Sequence, residues 1–245
     1  MSSTGARRAA PLGRPRVHLR RTSSTSDRAR ELAAAGAPHG TLVTASEQTA
    51  GRGRQGRRWS APPDSALLMS LLLRWRAPQR VPQLLPLIAG LAVCDVAGER
   101  ALLKWPNDVV LASGEGLAKL AGILVEGRPQ EAWSVLGIGL NVAVSVEQLP
   151  QELHATAATL GRSRAALEPT LDALLAALER RLGQPPATSL RSFRERDALR
   201  GRAISWAGGS GRAEGIDGAG RLIVALRGGG RTALAAGEVH LQRTG

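Results

Sequence analysis

The sequence predicts an α+β protein, a mixed or antiparallel sheet flanked by helices, with a small β-barrel at its C-terminal end. Three observations point there. Apolar runs of strand length, residues 66–75 above all, are separated by stretches whose leucines and alanines recur at helical spacing. Gly127-Arg128-Pro129-Gln130 is short and turn-rich, which suits a hairpin between neighbouring strands. After Gly201 the composition shifts to short apolar segments separated by glycine-rich turns at strand-like spacing.

Taken in order, residues 1–16 read as a flexible basic leader rich in Arg, Pro and Gly. Ser24-Thr25-Ser26 then precedes a helix to Gly36, with a hydroxyl cap, an acidic first turn at Asp27 and a closing glycine. Residues 41–45 form a strand entering a glycine-arginine loop, and residues 66–75 a strand leaving it. Residues 83–96 form a helix that tolerates Pro86 near its start. Strands follow at 103–105, 109–111, 117–126 and 132–144. Leucines 171, 174, 175, 178 and 182 mark a helix opened by Pro169-Thr170, and residues 189–199 a shorter one. The terminal segments 203–206, 212–216, 221–226 and 232–234 suit a barrel of five strands or fewer. At roughly 45 residues such a unit is near the size where a lone core is marginal, so it should lean on the larger domain. The expected organisation is a leader at 1–16, a main domain at 17–199 and the β unit at 200–245.

Composition narrows the function classes. Net charge is +13 over 245 residues, carried mostly by arginine, and eight arginines against Asp27 lie in the first 30 residues. That excess suggests nucleic acid or an acidic partner. One Phe and no Tyr leave little to stack bases on, however. Cys94 is the only cysteine, so neither a disulfide framework nor a cysteine metal site is available, and His18, His39, His154 and His240 show no ligand spacing. The start has no apolar signal core, and the apolar stretch at 84–94 is broken by Pro86 and Gly90 and too short to cross a membrane. A cytoplasmic protein without a membrane partner is expected.

The most informative stretch is Ser46-Glu-Gln-Thr-Ala-Gly-Arg-Gly-Arg-Gln-Gly-Arg-Arg-Trp-Ser60. Gly51, Gly53 and Gly56 permit positive φ and close approach of the backbone to a ligand, while Arg52, Arg54, Arg57 and Arg58 supply planar forks for phosphate or carboxylate oxygens. On spacing alone the loop equally suits a solvated basic surface or an RGG-like nucleic-acid segment. Strand alternation puts Lys119 with Ala121, Ile123 and Val125, where a cation needs a partner or must snorkel to water. It also puts Gly137, Gly139 and Asn141 on one face and Ile138, Leu140 and Val142 on the other. A face bare of side chains invites a ligand, or marks a bulge. Asn107-Asp108 after the stiff Trp105-Pro106 is either a plain turn or a carboxylate held near a site. Trp59 is either core or a packing wall.

Four segments occur in order: the glycine-arginine loop, Lys104-Trp105-Pro106-Asn107-Asp108, Lys119-Leu120-Ala121-Gly122-Ile123-Leu124 with Glu126, and Gly137-Ile138-Gly139-Leu140-Asn141-Val142. With them the chain resembles the biotin protein ligases, from about residue 24 to 142 and more weakly through the terminal unit. The resemblance implies a class II synthetase-like catalytic domain and an SH3-like C-terminal barrel. It implies ATP-dependent formation of biotinyl-5′-AMP and transfer of biotin to a lysine of a biotin carboxyl carrier domain, with Mg²⁺ accompanying ATP. Lys119, Arg54 and Asp108 are the implied catalytic residues. Biotin is expected on Ser24, Thr25, Ser26, Gln48, Arg52, Gly53, Arg54, Lys119 and Gly122, and the adenylate on Arg52, Arg54, Trp59, Asn107, Lys119 and Asn141. Asp108 is the expected Mg²⁺ contact. Ser26 stands where the family usually has Asn. A lipoate or octanoate ligase of the same fold is the enzymatic alternative. The other is a biotin-responsive repressor, but the 23 residues before Ser24 are too few for a helix-turn-helix, so no sequence-specific DNA binding is expected.

Overall fold

The computed structural model describes residues 11–75, 83–114, 116–128, 130 and 132–242. Two sheets are present. The larger contains β1 (Arg16–Thr22), β2 (Leu42–Gln48), β3 (Ala66–Arg74), β4 (Leu102–Lys104), β5 (Asp108–Ser113), β6 (Gly116–Arg128) and β7 (Trp133–Asn141). Their order is β1-β2-β3-β7-β6-β5-β4, with β1 and β2 parallel and every other pair antiparallel. A parallel pair needs a crossover, and α1 (Thr25–Ala34) supplies it.

Each face of this sheet has its own cover. Leu72 and Val135 pack with Ala29 and Ala33 of α1. Leu71, Leu73, Ile123, Leu136, Ile138 and Leu140 turn the other way, into a core shared with α2 (Leu85–Ala97) and α3 (Leu167–Leu182). α2 is apolar nearly all round, as a helix buried between layers must be, and Pro86 sits in its first turn where no donor is lost. α4 (Pro186–Arg196) starts three residues before the expected 189, because Pro186 opens a helix as readily as Pro169 was expected to.

The second sheet, β8 (Ala203–Trp206), β9 (Gly209–Ile216), β10 (Leu222–Leu226), β11 (Arg231–Leu234) and β12 (His240–Leu241), is antiparallel throughout in the order β11-β10-β9-β8-β12. Ile204, Ala213, Leu222, Val224 and Val239 join the same core as α2 and β6, so this small unit does lean on the main sheet.

Two features depart from the sequence reading. β1 is a strand where the sequence reading assigns no element, although Val17 and Leu19 alternate with polar residues along an edge strand. Residues 11–16, the end of the expected leader, are tied down: the Leu12 amide donates to Glu179 Oε1 at 2.7 Å and the Gly13 amide to the Gly40 carbonyl at 2.9 Å. Residues 1–10 lie outside the described residues. No helix among the described residues is long and apolar enough to cross a membrane.

Candidate active site

A row of residues across five strands floors the site. Register places Lys104 opposite Asp108, Asp108 opposite Gly122, Gly122 opposite Gly139 and Gly139 opposite Leu68. The two glycines leave a bare strip, and the indole of Trp59 lies across it. A Cβ on Gly139 would stand 2.4 Å from the indole and one on Gly122 3.2 Å from it. The next row, Leu124, Gly137 and Ser70, meets the start of α1.

Lys119 reaches this face through a β-bulge. The register slips between Val109 and Val110, so that Val109 faces Ala121 while Val110 faces Lys119. Strict alternation would have put Lys119 with Ala121 and Ile123, as the sequence reading had it. The extra residue instead leaves Leu120, Ala121 and Ile123 in the core and turns Lys119 toward Gly122, whose added Cβ would be 3.2 Å from Lys119 Cε. There Lys119 Nζ pairs with Asp108 Oδ1 at 2.7 Å and stands 5.8 Å from the centre of the Trp59 ring.

The hydroxyl end of the pocket is built by the N-terminus of α1. Ser24 caps the helix, its Oγ accepting from the Ser26 amide at 3.2 Å. Gln48 Oε1 accepts from the Thr25 amide at 2.7 Å and from Thr25 Oγ1 at 3.0 Å. Thr25 and Ser26 both bond Ser70 Oγ, at 2.8 and 3.0 Å. Ser70 was not foreseen as a site residue. A buried hydroxyl without partners costs roughly 1–3 kcal/mol, so one serine inside the apolar run of β3 was the available signal.

The glycine-arginine loop closes the other side, and three of its arginines, Arg52, Arg54 and Arg57, are already engaged. Arg52 donates to Asp27 at 2.7 Å and pairs with Glu126 at 3.0 Å; the hydrogen bond to Asp27 holds its guanidinium above the usual range, and Glu126 adds to this. Arg54 Nη1 donates to Asn107 Oδ1 at 3.3 Å, and Arg57 is ion-paired with Glu238. The left-handed positions are Gln55 and Gly56; Gly51 and Gly53 do not adopt positive φ, contrary to expectation. Gly51 is required by proximity instead, since a Cβ there would meet the Trp59 carbonyl at 2.4 Å.

The pocket thus brings together Ser24, Thr25, Ser26, Gln48, Arg52, Gly53, Arg54, Trp59, Asn107, Asp108, Lys119 and Gly122. Asn141 is the expected site residue it does not include. That side chain is buried on the same face of β7 and donates from Nδ2 to the Ala158 carbonyl at 2.8 Å. Lys104, part of a quoted motif but given no role, also lines the pocket, as do Gly237, Glu238 and Val239, which the sequence did not single out. Burial pushes the Lys104 ammonium below its ordinary range; Asp108 opposes this and Lys119 and Arg57 reinforce it.

A pocket with hydroxyls and an amide at one end and cations at the other suits a ligand with a polar head and an anionic tail. The family model of the biotin/lipoate A/B protein ligases matches residues 18–142. The chain belongs to this family. A biotin--[acetyl-CoA-carboxylase] ligase of Paracoccus denitrificans is 35% identical over 243 residues, covering 90% of this chain and 98% of that protein. The bifunctional ligase/repressor BirA of Bacillus spizizenii is 39% identical over 160 residues, covering 62% of this chain. The matches span about half the length of the Bacillus relatives, 48% in B. spizizenii and 44% in B. subtilis. Among solved structures, a biotin protein ligase from Aquifex aeolicus in complex with biotin and ATP superposes with a TM-score of 0.78 at 25% identity, over 94% of this chain and 100% of that one. Within the family, the four motifs found in the sequence all fall on this one pocket or on the strand that floors it.

Proposed function

We propose that the protein is a biotin protein ligase. It activates biotin with ATP to biotinyl-5′-AMP, releasing pyrophosphate, and passes the biotinyl group to a lysine of a biotin carboxyl carrier domain, releasing AMP. The observation that carries this reading is the placement of Lys119 between a hydroxyl-lined end and an arginine-bearing loop within one pocket.

The chemistry follows from charge. A carboxylate must approach the α-phosphate of a triphosphate, and the two repel unless cations lie between them. Lys119, steered out of the core by its bulge, bridges the biotin carboxylate and the α-phosphate in this proposal. Arg54, whose recorded contact is one long bond to a neutral amide, turns to phosphate at little cost. Ser24, Thr25, Ser26 and Gln48 receive the polar head of biotin, Gly53 and Gly122 allow close approach, and Trp59 walls the adenylate. The indole Nε1 is buried without a partner among the described residues, a donor that a ligand oxygen would satisfy. Asn107 completes the nucleotide side, and Asn141, outside the pocket lining, supports the end of β7 beside it.

Mg²⁺ fits as a companion of the nucleotide. Among the described residues no three His, Cys, Asp or Glu side chains converge on a metal position, and Asp108 is the carboxylate that faces Lys119. An ion carried mainly by phosphate oxygens needs only one such contact. When bound, it would offset charge on the departing pyrophosphate.

The second sheet is read as the SH3-like barrel and the main sheet as the class II synthetase-like catalytic domain of this family, acting in the cytoplasm without membrane or sequence-specific DNA partners. An ATP–pyrophosphate exchange assay tests the activity. Exchange dependent on biotin supports it; exchange driven by lipoate or octanoate alone favours the alternative ligase. Retention on a biotin-operon operator fragment over scrambled DNA at roughly 0.2 M salt, strengthened by biotin and ATP, would bring back the repressor reading.

A further inference from the structure

The loop over the pocket is held by three arginines that reach four different parts of the molecule. Arg52 reaches Asp27 of α1 and Glu126 of β6, Arg54 reaches Asn107 in the β4–β5 turn, and Arg57 reaches Glu238 just before β12. The loop is also a tight unit in itself. The Gly53 amide donates to the Arg57 carbonyl at 2.8 Å, the Arg57 amide to the Arg54 carbonyl at 3.1 Å, and Arg52 bridges Arg58. Whatever holds Arg57 therefore carries Arg54 with it.

We propose that Glu238 is a positioning residue for the ligase reaction: through Arg57 it clasps the loop over the pocket and makes the second sheet part of the closed site. The inference rests on the ligase reading. Glu238 is placed well for this task because its neighbours are fixed. Val239 is fully buried in the common core, and Gly237, Glu238 and Val239 all line the pocket. His240 lies 3.7 Å from Glu238, and Arg57 is near enough to Lys104 for the two cations to repel.

The three clasps have different strengths, and that assigns them different tasks. Arg52 answers two carboxylates and fixes the loop's near end. Arg54 makes its one long bond to a neutral amide and is released most cheaply toward an anion. Arg57 faces a single carboxylate across a half-exposed contact, strong enough to favour closure and weak enough to let a product leave. Without it the far end of the loop would keep only its bridge to Arg52 and the packing of Trp59, and the reactive anhydride beneath would meet water more often.

The test is a charge exchange on the full chain: Arg57→Glu, Glu238→Arg, and both together. Two readouts are taken. One is free biotinyl-AMP released per biotin transferred to carrier. The other needs no substrate and is the rate of tryptic cleavage after Arg52 and Arg54, followed by mass spectrometry. Each single reversal is expected to raise both by about five-fold, the upper range for an exposed ion pair, and the double exchange to bring both back toward the parent. Single variants indistinguishable from the parent, or a double exchange no better than the singles, would overturn the clasp. If the parent itself makes no biotinyl-AMP, the ligase reading fails, and the cleavage rates still decide whether Glu238 holds the loop.

Discussion

Lys119 and Asp108 form an ion pair, Nζ to Oδ1 2.7 Å, only because a bulge in β6 turns the lysine out of the core and onto the strip occupied by Gly122 and Gly139. One inserted residue thus decides whether the chain owns a cation at the place where carboxylate and phosphate must meet. Asp108 keeps that cation in place while the site awaits its substrates.

Lys119→Ala is expected to cut adenylate formation severely while leaving the fold nearly intact, since the lysine side chain is 38% exposed and adds little to the core. Loss of one preorganised charge donor typically costs about 3 kcal/mol in the transition state, on the order of a hundred-fold in rate. Pyrophosphate exchange and thermal melting, run on the same preparation, check both halves of the expectation.

Arg54→Ala should weaken retention of biotin and adenylate and raise the leak of biotinyl-AMP to solvent. The loop keeps its clasps at Arg52 and Arg57, so the loss is of phosphate contact and not of order. Free biotinyl-AMP per turnover is the measurement; leakage equal to the parent's would show that Arg54 does not reach the phosphate.

Gly139→Ala should displace Trp59, because the new methyl would lie 2.4 Å from the indole. Overpacking of this kind costs about 1–3 kcal/mol unless the ring moves, and here the ring closes the pocket. A rise in KM for ATP, together with a shift in tryptophan emission, is expected. Unchanged values for both would mean that the ring does not wall the nucleotide.

How much of this was legible in the sequence differs from strand to strand. On β7, glycines at alternate positions announce a bare face, and the structure keeps that alternation. On β6 the same rule misplaces Lys119, because a bulge leaves no mark that spacing can reveal. β1 went unread since two apolar residues among arginines resemble a solvated tail as much as an edge strand. Ser70 and Glu238 were missed for a further reason: their roles depend on partners in α1 and the loop, and no local pattern carries such long-range contacts.

Asp197 gives the account a pH dependence. Burial raises its carboxyl above the ordinary value of 3.8, although its Oδ1 accepts from the Leu199 amide at 2.9 Å. The folded state therefore holds this proton more tightly than the unfolded chain. The associated stability is fully present below the unfolded value and is lost as pH rises through the raised folded one. Asp197→Asn keeps the acceptor and removes the charge, so it should melt no lower than the parent at pH 7 and lose part of the fall in stability on going from about pH 4 upward. Melting curves of the two proteins across that range give the comparison; parallel pH profiles would contradict the assignment.

Mass spectrometry of the acyl-adenylate tests the central claim most directly. The protein is incubated with ATP, Mg²⁺ and an equimolar mixture of biotin, lipoate and octanoate, and the nucleotide products are resolved. The expected result is biotinyl-5′-AMP as the sole acyl-adenylate, reduced on the order of a hundred-fold in rate in the Lys119→Ala reaction. Lipoyl- or octanoyl-AMP in its place, or biotinyl-AMP formed equally well without Lys119, would contradict the account.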